Sequence, residues 1–447
     1  MGIVFIGSHL GYPMDRTPLG GGAMVGLRLI RHWAAAGLRD LTVLGSGLEA
    51  PVSGVEYVRL PCGPGYDLVR LSEFEYARFC RDFEAATTDW LLSRQDRLPP
   101  AATTVLVNDV SEGPTLARLA QAGYPIVSLW HVDVVDYFNK LYLHSLVSPQ
   151  RLTRLYERCR RWGLSSAVPD LLRLIFEKQR ETVARSGRLI VPSQAMAETL
   201  CLCYEGETPG GRLAERIRVV PWGAWEDEAP EPSDQRLLEL RERFHIGERT
   251  VVLMTLSRIA PEKGIHLLLE ALRLLESEGR LEGRDVVLLV CGEASFMQGA
   301  AYFRRVRAAA AALCRVRVFF PGYLDAAAKK AHFRLAHLFI SPSVHESYGL
   351  NLVQAMQAGL GVLASDHYGV REILDDSCGL VVPYPSLTAA PRRLAESLEV
   401  AWGANGRLSG MGRCARERAA AMPFSLAADA VLAACREVRP DGGKGVQ

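Results

Sequence analysis

Three stretches of this 447-residue chain carry charged or imidazole side chains at spacings that could do chemistry. SRIAPEKG (257–264) sets Arg258 and Lys263 five positions apart around a proline turn. Two fixed cations at a strand end can hold a diphosphate, the guanidinium as a planar fork and the ammonium as a point charge. SVHESYGLNLVQAMQAG (343–359) has one carboxylate, Glu346, in a Ser/Tyr/Gly turn before a helical pattern. If that helix starts near Tyr348, its first N–H groups and the positive end of its dipole point at whatever lies beside Glu346. An N-capping acid is the structural alternative for the same letters, and the weaker of the two readings. SLWHVDVVDYF puts His131 at a strand end beside Trp130, where an imidazole can touch a reacting group or carry a proton. A hydrogen-bonded structural histidine fits that stretch equally well.

Weaker signals surround these. At 1.5 Å per residue, the eight positions from Glu346 to Gln354 would span about 12 Å, the length of a nucleotide-sugar from sugar to ribose. PLGGGAMVG (18–26) is a glycine run that opens a helix and would let a backbone approach an anion closely. It lacks the G-x-G-x-x-G spacing, no P-loop lysine follows, and a tight turn accounts for it as well. Asp133 and Asp136 resemble a metal-binding pair only loosely, because no further acid or histidine completes a set. No metal site is expected.

These residues need elements to hold them, and the chain alternates short apolar runs with longer helical patterns. GIVFIG (2–7), LTVLG (41–45), TVLVND (104–109), PIVSLWH (125–131), RLIVPS (188–193) and IRVVPWG (217–223) read as strands. A polar, Pro-containing linker, DEAPEPSDQ (227–235), precedes a second series. That series is TVVLMTLSR (250–258), DVVLLVCGE (285–293), RVRVFFPG (315–322), HLFISPS (337–343) and GVLAS (361–365). Strands alternating with helices predict α/β architecture with doubly wound parallel sheets, buried on both faces. The restart predicts two Rossmann-like domains, 1–222 and 223–422. Ligands of such sheets bind beyond the carboxyl ends of the strands. Gly20, Gly21, Gly22, His131, Arg258, Gly292 and Glu346 all fall there, which predicts a site in a cleft between the two domains.

Bulk composition removes other classes. Hydrophobic content of 49% with 23% charged residues describes a globular chain long enough for two cores. The balance of 52 basic against 50 acidic residues argues against a nucleic-acid binder. Ten scattered cysteines, with only Cys201 and Cys203 close together, read as reduced structural thiols of a cytoplasmic protein. MGIVFIGSHLGYPMDR has neither the basic leader nor the apolar run of a signal peptide, and Ile6 breaks the myristoylation pattern. No apolar run nears the roughly 20 residues of a spanning helix. Peripheral contact at the inner membrane face stays open, and residues 137–170, with Arg151, Arg154, Arg158, Arg160 and Arg161, are the segment for it. A solvated helical face is the simpler reading of that segment.

Taken together, SRIAPEKG, CGEA, FFPGYLD and PSVHESYGLNLVQAMQAGLGVLASDHYGVREIL resemble the glycosyltransferase family 4 pattern on the GT-B fold. VVPWG resembles that family's interdomain V-P-N-G turn, GGGAMVG its glycine loop, and His131 its N-domain histidine. PFSLAADAVLAACREV (423–438) resembles the closing helix that returns to the first domain, placed at about 423–447. The match runs through most of the chain in order, more specifically in the second half.

The resemblance implies a retaining, metal-independent transfer of a sugar from a nucleoside-diphosphate donor, a UDP or GDP sugar foremost, to a sugar or small-molecule acceptor. No other cofactor is implied. Arg258 and Lys263 would oppose the charge of the leaving diphosphate, with backbone N–H groups along Ser347, Tyr348, Gly349 and Leu350 and the loop at Gly21 and Gly22. Glu346 would hold donor-sugar hydroxyls, and His131 would meet the sugar or acceptor. The loop with Gly292 and the one with Gly322, Tyr323 and Leu324 would line the donor, the latter at its base. Gln354 departs from the family, whose motif has Glu there for both ribose hydroxyls. An amide accepts through one oxygen only, so the resemblance implies a modified ribose contact. Two further readings stand beside this one: a GT-B sugar-nucleotide epimerase or phosphorylase, and a non-catalytic subunit that binds a nucleotide sugar or a partner. The sequence leaves the oligomeric state undetermined.

Overall fold

The computed structural model describes residues 2–13, 20–62, 68, 71–143, 146–204, 212–225, 227, 229–294, 299–403 and 407–439. Pro18 and Leu19 of the glycine stretch, Glu228 of the linker and the tail from 440 lie outside the described residues. The chain divides into two compact units, Met1–Trp222 with Ser425–Gln447, and Gly223–Phe424.

The first unit is built on seven strands: β1 (Gly2–Ile6), β2 (Leu41–Gly45), β3 (Glu56–Arg59), β4 (Thr103–Val107), β5 (Ile126–Leu129), β6 (Arg188–Val191) and β7 (Ile217–Val219). Every pairing is parallel, in the order β3-β2-β1-β4-β5-β6-β7. The second unit holds β8 (Thr250–Leu256), β9 (Asp285–Cys291), β10 (Val316–Gly322), β11 (Leu338–Ser341), β12 (Gly361–Ser365) and β13 (Gly379–Val382). They too are parallel, in the order β10-β9-β8-β11-β12-β13. In each sheet the order reverses at one place, between β1 and β4 and between β8 and β11. A doubly wound sheet opens a crevice at that reversal, beyond the carboxyl ends of the strands.

Central strands are buried along their whole length, as in LTVLG and GVLAS, which suits their unbroken apolar runs. The two strands that the sequence reading lacks, EYVR of β3 and GLVV of β13, are edge strands. An edge strand needs no continuous apolar signature, and β3 is exposed at both ends. Elsewhere the strands stop short of the expected ends. β4 ends at Val107, β5 at Leu129 and β8 at Leu256, so Asn108, Asp109, His131, Ser257 and Arg258 stand on loops just past the ladder.

The returning helix runs over Phe424–Glu437 and is fixed to the first unit. Trp33 Nε1 donates to Ala428 O at 3.0 Å and Thr104 Oγ1 to Cys435 O at 3.0 Å. Glu437 pairs with Arg188 and Arg218 at 3.1 and 3.2 Å. The segment after His131 folds into two helices, Val134–Tyr142 and Pro149–Arg161. Asp133 caps the first by accepting from Asp136 N at 3.0 Å, and Asp136 pairs with Lys140 at 3.0 Å. These acids therefore serve the helix. Among the described residues, no helix is long and apolar enough to cross a membrane.

Candidate functional site

In the second unit, the loop after β8 and the loop after β11 flank the reversal point. The β8 loop closes in a short turn, Pro261–Lys263, and Gly264 follows with φ +63°. A Cβ on Gly264 would stand 1.9 Å from Pro342 O, so glycine is required for the two loops to meet. Glu262 is buried and does two jobs there. Its carbonyl accepts from Val344 N at 2.8 Å, and its carboxylate pairs with Arg258 at 3.3 Å. Arg258 is thereby tethered, and the SVHES loop is pinned to the loop of the cations.

Lys263 Nζ lies 2.6 Å from Glu346 Oε2, with side chains 13% and 20% exposed. Burial pushes the Glu346 carboxyl up, but Lys263, then His367 and Arg258, outweigh it and hold it below its ordinary 4.5. Glu346 is therefore ionised at neutral pH and shares its surroundings with three basic side chains.

The helix after Glu346 runs over Leu350–Gln357, with Gly349 at its N-cap, so it begins two residues later than expected from Tyr348. Gly349 adopts φ +104°, and Asn351 Nδ2 donates to Leu256 O at 2.9 Å, tying the first turn to the end of β8. Among the described residues, no acceptor meets the N–H groups of Tyr348, Gly349 and Leu350. These three amides form a donor cluster beside Glu346. The Tyr348 ring is buried and points away, its oxygen accepting from Gly223 N at 3.0 Å. Only its backbone is offered. Gln354 sits one turn into the helix, half-buried, and among the described residues its amide has no hydrogen-bond partner.

The remaining loops join these. Gly292 has φ +124°, and a Cβ there would lie 1.8 Å from Ser257 O. Its N–H donates to Gly322 O at 2.8 Å, linking the ends of β8, β9 and β10. Leu324 is buried while Tyr323 is 36% exposed, so this turn presents a ring and a backbone edge.

The first unit gathers a second cluster at its own reversal point. Gly21 opens the helix Gly21–Ala35. A Cβ on Gly22 would stand 2.9 Å from the His131 ring, so the glycine admits the imidazole. Asn108 Nδ2 donates to Gly22 O at 3.2 Å and to Asp109 Oδ2 at 3.0 Å, so its carbonyl oxygen faces His131 Nε2, 3.2 Å away. Nε2 must then carry the hydrogen, which leaves Nδ1 as the acceptor of the neutral ring. Burial, opposed by Asp109, keeps His131 below its ordinary 6.5, and the Trp222 ring lies 5.3 Å from it. His9, whose Nδ1 is 3.8 Å from Asp109 Oδ2, goes the other way: burial lowers it, but Asp109 and Glu112 lift it above 6.5. Asp109, raised by burial, is held below its ordinary 3.8 by His9, His131 and Asn108. One cluster thus holds an imidazole lifted above its ordinary range, a carboxyl held below its own, and an imidazole held below its own.

The comparisons bear on this arrangement. Residues 238–406 match the family model described as glycosyl transferases group 1, a segment that contains Arg258, Lys263, Glu346 and Gln354. An alpha-D-kanosaminyltransferase of Streptomyces kanamyceticus is 28% identical over 191 residues, covering 42% of this chain and 47% of the relative. The chain spans about half the length of the curated relatives it matches. Among solved structures, sucrose-phosphate synthase from Thermosynechococcus elongatus superposes with a TM-score of 0.69 at 18% identity, over 98% of this chain and 99% of that one. The Anabaena protein HepE, solved with UDP-glucose, gives 0.64 at 16% identity, over 97% and 98%. The chain has the GT-B fold.

Within the GT-B fold, each sheet of this chain gathers its candidates at its reversal point. In the second unit the structure unites Arg258, Lys263, Glu346 and the amides of the helix start; in the first it unites Gly22 and His131. Sequence reasoning missed Glu262, Asn351 and His367 in the second unit and His9, Asn108 and Asp109 in the first. A usable signal existed for two of them. Asn108 and Asp109 follow β4 as His131 follows β5, and the strand-end rule that picked His131 applies equally to them.

Proposed function

We propose that this protein is a glycosyltransferase that moves a sugar from a nucleoside-diphosphate donor to an acceptor hydroxyl with retention and without a metal. The observation that carries the reading is the Lys263–Glu346 pair with tethered Arg258 beside three open amides, inside the segment that matches the group 1 model. As the bond from the anomeric carbon to the diphosphate breaks, negative charge grows on the leaving group. Lys263, Arg258 and the amides of Tyr348, Gly349 and Leu350 oppose it. They supply the charge that a divalent ion supplies elsewhere. Lys263 has three N–H donors and can serve a phosphate while still holding Glu346. The ionised Glu346 accepts from sugar hydroxyls and stabilises positive charge at the anomeric carbon. His131 offers Nδ1 to a sugar or acceptor hydroxyl. Tyr323 and Leu324 are assigned to the base and Gln354 to the ribose. A solved GT-B structure holding UDP-glucose supports a UDP sugar as the first donor to try. The acceptor is proposed to be a glycan, a lipid-linked sugar or a small natural product.

Thermal-shift measurements with UDP, GDP, ADP and dTDP sugars test the donor site. A ligand at 100 times its Kd raises stability by about 2.7 kcal/mol. The matching donor should then be turned over in the presence of a chelator, and the product should keep the donor's anomeric configuration by NMR. Flat melting curves with every donor would overturn the reading.

A further inference from the structure

Outside both clusters, the surface is most unusual on the helix Pro149–Arg161 of the first unit. Its inner face is committed. Tyr156 stacks on Phe176 with centroids 4.7 Å apart and donates to Glu177 at 2.9 Å, within an apolar cluster that includes Val135, Leu152 and Val168. Glu157, its one acid, is buried and paired with Arg160 and Arg180. The outer face is of another kind. Arg151, Arg154, Leu155, Arg158, Arg161 and Trp162 recur at helical spacing and are all exposed. Among the described residues none of these four arginines is ion-paired, and no acid shares the stripe. Leu155 is 58% exposed and Trp162 73%. Leu146 at 84% and Leu164 at 50% flank them at the two ends of the helix.

We infer that this face is a docking surface for an anionic lipid bilayer. Four unpaired guanidinium groups in one stripe suit a negatively charged sheet, while Leu and Trp beside them suit the headgroup boundary. A polyanion in water would use the arginines and leave Leu146, Leu155, Trp162 and Leu164 without a partner. A bilayer takes both. The surface is independent of the sugar-transfer reading, since none of its residues belongs to either cluster.

The test is co-sedimentation of the full chain with vesicles of phosphatidylcholine alone and of equimolar phosphatidylcholine and phosphatidylglycerol. Binding is expected to the anionic vesicles only, and to fade with salt. Each arginine near the surface contributes about fivefold in affinity, so the double variant Arg154→Gln with Arg158→Gln should bind about 25-fold more weakly. Trp162→Ala should weaken binding while leaving its salt dependence in place. Both variants should melt as the parent does, because the side chains are exposed. Equal binding to neutral vesicles, no binding to either, or full binding by the double variant would overturn the inference. So would tight binding to heparin that Trp162→Ala leaves untouched while vesicles are ignored, since that assigns the stripe to a soluble polyanion.

Discussion

Replacing Glu346 by Gln keeps the shape of the side chain and removes its charge. Lys263 would then stand 2.6 Å from a neutral amide, in a place only 13% exposed. Transfer is expected to fall by roughly 10²–10³ in kcat, the size seen when one transition-state partner is removed. Steady-state kinetics check this, and an unchanged kcat would remove Glu346 from the reaction. The imidazoles give a pH test. His9 lies above its ordinary 6.5 in the folded chain, so the stability it contributes is full below pH 6.5 and is lost as pH rises through its folded value. Asp109→Asn removes a cause of that rise, so stability measured by urea unfolding should decline less above pH 6.5 than in the parent. The same substitution removes the anion that opposes burial at His131, whose titration by NMR should move to still lower pH. These residues differ in how far the sequence revealed them. Glu346, Arg258 and Lys263 were legible because charge beside glycine and proline at a strand end has few structural uses. Asn108 was not, because its work is done by contacts to Gly22 and His131, which only the sheet brings near.

At the scale of elements, apolar runs predicted the central strands because those strands are buried on both faces. β3 and β13 escaped because an edge strand needs no such run. The helix start moved from Tyr348 to Leu350 because Gly349 takes a left-handed conformation, which a sequence pattern does not record. The glycines that join the loops are the weak points of the second unit. Gly264→Ala should cost about 1–2 kcal/mol from the left-handed backbone alone. The collision with Pro342 O adds to that and displaces the backbone leading to Glu346. Gly283→Ala is the control, with φ +71° and nothing within 4 Å, and should show only the backbone cost. Thermal melting separates the two. Equal losses would mean that the β8 and β11 loops tolerate a methyl group between them.

For the whole molecule, the helix Phe424–Glu437 belongs to the unit that the chain left at Trp222. Removing the chain from Ser425 onward strips Thr104 and Trp33 of their acceptors and Arg188 and Arg218 of Glu437, and takes the buried side chains of Val431 and Cys435 out of the first unit. Each lost apolar contact of this size costs about 1–3 kcal/mol. The truncated chain should therefore lose most of the cooperative unfolding of the first unit, as followed by hydrogen exchange at β1 and β4. Protection equal to the parent's at those strands would show that the helix is dispensable.

One small feature bears on how such a chain can change over time. Ala224 N donates to Met422 O and Phe424 N to Ala224 O, both at 2.7 Å, so the second unit begins and ends at one point. Covalently it is a cassette set into the first unit, its two ends already clasped. A cassette with clasped ends can be excised or exchanged without stretching its host, because the gap left behind is no wider than one pair of hydrogen-bonded strands. Residues 223–424 expressed alone should fold with the parallel order of β8–β13 intact. Recombination at this clasp would give the chain a new second unit in one step, with the seven strands of the first unit carried over unaltered.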